Sequence, residues 1–141
     1  MNTINELLEN YQSAVLEQNV DKFISMYDLS VHIFDSWSKW NIIGSDAWRN
    51  QVEDWFSVLQ RDHSTLRVSY EDCIIYENGD LASIHTNIRF SEYNSNKIEF
   101  RHLTNRFTFI LKKENSVWKI VHEHSSLPID PDNGNGIFDL K

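Results

Sequence analysis

The segment VHEHSSLP, residues 121–128, holds the densest set of groups able to do chemistry in this chain. A strand turns successive side chains to opposite faces, so His122 and His124 share one face and Glu123 and Ser125 the other. Imidazoles make directional hydrogen bonds, and His122 and His124 are candidate ligand-binding residues on that ground. A second candidate lies in HIFDSW, where Asp35 closes an apolar run and is followed by Trp37 and Trp40. An acid set against aromatic surface is partly desolvated, which raises its pKa and makes it a usable general base near neutral pH. The competing reading is a turn aspartate that caps backbone amides. Trp37 and Trp40, in a strand-to-turn segment, suit the mouth of a pocket.

Two further runs sort polar from apolar residues. Ser83, His85, Asn87 and Arg89 alternate with Ala82, Ile84, Thr86, Ile88 and Phe90; His102, Thr104, Arg106 and Thr108 alternate with Leu103, Asn105, Phe107 and Phe109. Such polar faces are either the wet side of a sheet or the lining of a pocket. On the second reading Asn87, Arg89, Arg106 and Thr108 join the ligand-binding candidates. An HxH pair with His85 or His102 from a neighbouring strand is a workable metal set, but it lacks motif spacing, and no metal is expected. No nucleophile elbow, phosphate-cradling glycine loop or HExxH appears, and no cofactor is expected. Cys73, without a basic neighbour, reads as an inert thiol.

These groups need elements to hold them. Ile4, Leu7, Leu8, Tyr11 and Val15 recur at helical spacing behind a Thr3–Glu6 capping box. Tyr11 on that apolar face reads as a core residue whose hydroxyl finds one partner. Val20, Phe23, Ile24 and Tyr27 form a second short amphipathic run expected to end near Asp28. SVHIFD alternates as a strand, WSKWNII forms its turn and return, and Gly44-Ser45-Asp46 opens a third helix with an apolar stripe from Trp48 to Leu59. Four strands follow, at roughly 65–76, 81–93, 97–112 and 117–126, separated by short polar turns that predict an antiparallel meander. Helices first and a long antiparallel sheet after them give an α+β fold. One domain over 1–129 and a Gly, Asn and Asp rich tail over 130–141 are expected, the tail either loose or docked on a partner subunit.

Composition limits the partners. With 21 acidic against 13 basic residues the net charge is −8, which disfavours nucleic acid and an anionic membrane surface, both of which need clustered Lys and Arg. A single cysteine excludes an intramolecular disulfide framework. The opening residues lack the pattern of a signal peptide, and no apolar run is long enough to span a bilayer, so a cytoplasmic protein is expected.

The element order, the strand-end Asp35, the GSDAWRNQVEDWF helix and above all NRFTFILKKENSVWKIVHEHSSLP resemble the SnoaL-like branch of the nuclear transport factor 2-like superfamily, over roughly residues 4 to 129. The pattern of Arg106, Thr108, Trp118, Lys119 and residues 122–126 is also similar to the association domain of calmodulin-dependent kinases. The resemblance implies a conical α+β fold, a curved sheet enclosing a small-molecule pocket, and commonly a homodimer. Within the superfamily, Asp35 is similar to the aspartate base of ketosteroid isomerase and Tyr11 to its oxyanion tyrosine. Its second acid has no counterpart around Arg106 to Thr108, and a cationic Arg106 would favour an anionic or carbonyl-bearing ligand. In the kinase domain's pattern Arg89 and Arg106 match pocket arginines, and Ser125 stands where another would be. The same analogy turns Glu123 and Ser125 toward the cavity. The expectation is a small-molecule-binding protein that acts as an isomerase, dehydratase or hydrolase on a carbonyl-containing or cyclic metabolite, or else a non-catalytic ligand-binding or association domain.

Overall fold

The first helix, α1 (Ile4–Glu17), starts where Thr3 Oγ1 accepts the Glu6 amide at 3.1 Å. The returning Glu6 carboxylate takes the Asn2 amide rather than that of Thr3. The computed structural model describes residues 2–141. Helix α2 (Val20–Ile24) follows a left-handed Gln18 and an Asn19 cap, and β1 (Tyr27–Phe34) leaves it directly. The second helix is thus shorter than its periodicity predicts. The reason is strand pairing: Ile120 donates its amide to Met26 O at 2.8 Å, which draws Tyr27 into the sheet. Then come β2 (Ile42–Ile43), α3 (Ser45–Arg61), β3 (Thr65–Asn78), β4 (Leu81–Tyr93), β5 (Glu99–Glu114) and β6 (Val117–Ser126).

The six strands lie in the order β2-β1-β6-β5-β4-β3. Strands β3 to β6 form the expected antiparallel meander, and β1 joins β6 in parallel, so the sheet is mixed. The helices pack on one face only. Ile84, Ile88, Phe109, Leu111, Trp118 and Ile120 from the sheet meet Leu7, Tyr11, Val15, Phe23, Val52 and Phe56 from the helices, all buried. Phe23 is the hub of this α+β core, with ring centroids of Tyr11, Tyr27, Trp48, Trp55 and Phe56 between 5.0 and 6.4 Å away. Each such ring contributes about 1.5–3 kcal/mol by leaving water. Among the described residues no helix is long and apolar enough to cross a membrane.

After β6 the chain folds back on itself. An isolated bridge joins Ile129 to Gly136, Pro128 O accepts the Ile137 amide, and Phe138 stacks on Trp37 with centroids 5.6 Å apart at 25°.

Candidate functional site

Toward its open end the layer between α3 and the sheet is not filled. A cavity of about 750 Å³ lies there, walled by Trp48, Val52 and Trp55 of α3 and by Leu66, Phe90 and Phe107 of the sheet. That volume suits a compact organic molecule. The Trp48 and Trp55 stripe is therefore both core and wall. Trp37 and Phe138 stand at the mouth, and the rim carries Glu92, Arg101 and His102.

The polar end is built from Tyr11, Asp35, Asn105, Glu123 and Ser125. Asp35 follows β1, beside the end of β6, and accepts a hydrogen bond at Oδ1 from Ser125 Oγ at 3.2 Å. Behind it runs a one-way relay: Asn105 Nδ2 donates to Ser36 Oγ at 3.1 Å, and Ser36 Oγ donates to Ser125 Oγ at 3.0 Å. The Ser36 amide also donates to Ser125 Oγ, at 3.0 Å. Burial raises the Asp35 pKa; the hydrogen bonds from Ser125 and from the Ser36 and Trp37 amides oppose that rise.

Glu123 is more deeply set, with 1% of its surface exposed. Tyr27 donates its phenol to Oε1 at 2.5 Å. Burial dominates here, reinforced by the neighbouring Asp35 charge and only partly countered by Tyr27, and it pushes the Glu123 carboxyl up to about 8. Burial likewise raises the phenols of Tyr11 and Tyr27 well above their ordinary value, with Glu123 the next cause for each. Both stay protonated at neutral pH. Tyr11 makes no side-chain hydrogen bond among the described residues; its hydroxyl, expected to find one partner, lines the cavity instead. Trp48 Nε1 and Asn105 Oδ1 are also buried without partners among the described residues, one a donor and one an acceptor.

Of the residues singled out from the sequence, Asp35, Tyr11 and Trp37 meet at this cavity. Trp40 does not; it is 93% exposed on the loop before β2. Asn87, Arg89, Arg106, Thr108, His122 and His124 lie on the opposite, outer face of the sheet. There Arg89 bonds Ser91 Oγ and Glu99, Arg106 Nε donates to Ser126 Oγ, and Thr108 pairs with His124. His122 Nδ1 lies 2.7 Å from the His32 carbonyl, and its ring packs edge-on against Phe34. The physical reason for the histidines is a bulge. Ile110 pairs with His122 but Leu111 with Ile120, so Val121 is an extra residue. Trp118 and Ile120 point inward, and the one-residue insertion then reverses the face of everything after it, sending Glu123 and Ser125 in and the histidines out. The two arginines sit outside for a simpler reason: the apolar partners of their alternation, Ile88 and Phe107, own the core face.

Arg101 is the one guanidinium, with no lysine beside it, among the described residues that line the cavity. It is 64% exposed and held by Glu92 at 2.8 Å. Asp35, Asp54, Glu92 and Glu123 give the lining an acidic excess. Among the described residues no group of three His, Cys, Asp or Glu could hold a metal ion.

Residues 4–130 match the family model of the SnoaL-like domain. No sequence among curated proteins matches the chain. Among solved structures, an NTF2-like protein of unknown function from Pseudomonas putida KT2440 is similar at 23% identity and a TM-score of 0.86, covering 98% of this chain and 93% of that one. An uncharacterised protein with a cystatin-like fold from Caulobacter vibrioides is similar at 13% identity and a TM-score of 0.70, covering 92% of this chain and 89% of that one. An NTF2-like protein with a cystatin-like fold from Novosphingobium aromaticivorans is similar at 12% identity and a TM-score of 0.73, covering 88% and 79%. At these identities the likeness is one of fold.

Proposed function

Because this chain belongs to the SnoaL-like family, we propose that it binds a small cyclic or carbonyl-containing metabolite in the cavity and moves a proton on it, with Asp35 as general base. The observation that carries this reading is the Asp35 carboxylate at an aromatic-walled cavity, one oxygen engaged by the serine relay and the other without a side-chain partner. A base so held is desolvated enough to be basic and fixed enough to be aimed. Tyr11, protonated and unpaired, offers a hydrogen bond to charge that develops on the ligand's oxygen. The acidic lining favours a neutral ligand over the anionic one that a pocket arginine would select.

The test is hydrogen exchange at carbon. Cyclohexanone, 2-cyclohexenone and 1-tetralone are incubated with the protein in D₂O, and loss of the α-proton signal is followed by NMR. The expected result is accelerated exchange of at least one ketone, lost in Asp35→Asn. Exchange at the same rate in Asp35→Asn refutes the assignment of the base. A second reading, a non-catalytic binding or association domain, draws on the exposed outer face with Phe34, His122 and His124, which is the surface we assign to a second copy in a homodimer. It predicts ligand-dependent melting that is indifferent to Asp35→Asn, and light scattering at twice the protomer mass.

A further inference from the structure

Glu123 has no role in the reading above, yet it is the most deeply buried ionisable group of the cavity. Its setting is a built one. Tyr27 fixes Oε1, leaving Oε2 without a side-chain partner among the described residues. The groups facing it are the phenols of Tyr11 from α1 and Tyr27 from β1, and the Asp35 carboxylate beyond β1. None is a cation, so the Tyr27 hydrogen bond alone among these groups favours a glutamate anion, and burial outweighs it.

Asp35 differs in kind. It lies beside Ser125, one strand repeat or about 7 Å along β6 from Glu123, and it receives the relay, with the Ser36 and Trp37 amides also favouring its charge. Two carboxyls so close in one low-dielectric space do not both ionise readily, and the one with the hydrogen-bond donors keeps the charge. The geometry points to Glu123 as the proton donor of the site: its Oε2 hydroxyl, orientated by Tyr27, donates to the carbonyl oxygen of a neutral ketone or enone while Asp35 takes the α-proton. This rests on the reading of Asp35 as base.

The step balances within the pair. Asp35 Oδ2 gains the α-proton; the C–H electron pair becomes the C=C bond; the carbonyl π pair moves to oxygen, which takes the proton of Glu123 Oε2. Glu123 is left as the carboxylate and Asp35 as the acid. Return of the proton from Asp35 to carbon, at the same or a conjugated position, and of the enol proton to Glu123 resets both groups without any further reactant.

The test uses the same ketone exchange with Glu123→Gln, which keeps an oxygen for the Tyr27 phenol and removes only the acid. Exchange is expected to fall by about 10²-fold, the usual effect of losing one donor to a developing oxyanion. The wild-type rate against pH is expected to decline on its alkaline side, and Glu123→Gln to lack that decline. A purely structural role would not move the profile in this way. A second readout needs no turnover: infrared difference spectra of protein carrying ¹³C-carboxyl glutamate, with and without 4-nitrophenol as an enol-like probe. A protonated carboxyl band at neutral pH that shifts with the probe and vanishes in Glu123→Gln supports the assignment. Absence of that band, or wild-type exchange with an unchanged profile in Glu123→Gln, overturns it. Failure of every ketone to exchange with the band present and responsive sinks the Asp35 reading alone.

Discussion

Glu123→Gln also makes a prediction about stability that is independent of any ligand. In the folded protein the carboxyl is raised to about 8 from an ordinary 4.5, so between those values the native state holds a proton that the unfolded chain has released. Stability changes with pH in proportion to protons bound by the unfolded state minus those bound by the native state. That difference is negative here, so the contribution is fully present below the unfolded pKa and is lost as pH rises through the folded one. Each pH unit in the window is worth about 1.4 kcal/mol, so raising the pH from about 5 to about 7.5 removes about 3 kcal/mol. Glutamine does not titrate, keeps the acceptor for Tyr27, and lacks this slope. Urea unfolding of both proteins at half-unit pH intervals gives the difference directly, with Asp35 contributing equally to each. Parallel stability curves, agreeing within about 0.5 kcal/mol across the window, would refute the argument that burial keeps Glu123 protonated.

Other perturbations probe the remaining elements. Phe23→Ala empties the hub against which five rings pack and is expected to cost about 3–5 kcal/mol in denaturant unfolding. Phe138→Ala breaks the stack on Trp37 at the mouth; since Phe138 is half exposed, stability should change by under about 0.5 kcal/mol. Binding of 1-tetralone, read by tryptophan fluorescence, should weaken about fivefold, the worth of one aromatic pair. Ser116→Gly relaxes a two-residue hairpin in which Asn115 and Ser116 have φ of 52° and 65°, a turn that favours Asn-Gly, and should raise stability by about 0.5 kcal/mol in thermal melts.

What is legible in the sequence is the physics that leaves a periodic trace. Alternation in β4 and β5, the polar turns and the α3 stripe are local signals, and each strand of the meander lies within about two residues of its expected bounds. Asp35 stands out as a strand-end acid beside tryptophans, whereas Tyr11 reads from its helix face as a core residue and is linked to a pocket only through the family resemblance; both line the cavity. The face of His122 and His124 is not legible. Alternation pairs residues, but a bulge at Val121 reverses the pairing's orientation, and an inserted residue in mid-strand carries no mark of its own. Trp48 and Trp55 read as packing residues, and they also line the cavity, because a cavity wall and a solid core are made of the same apolar residues and only the space between them differs. Arg89 and Arg106 stand out by their directional hydrogen-bonding capacity and their likeness to pocket arginines, although polar residues on a sorted strand more often mark the wet face.

The parallel pairing of β1 with β6 has a consequence for how the protein matures. It brings Ser125 to Asp35 across 90 positions and Glu123 to Tyr27 across 96. Contacts so distant along the chain close late, after local helices and hairpins have formed. A nascent polypeptide stalled before β6 would own Tyr11, Tyr27 and Asp35 yet possess neither the relay through Ser125 nor the buried Glu123. The polar end of the cavity would therefore be completed in a single event, the docking of the final strand.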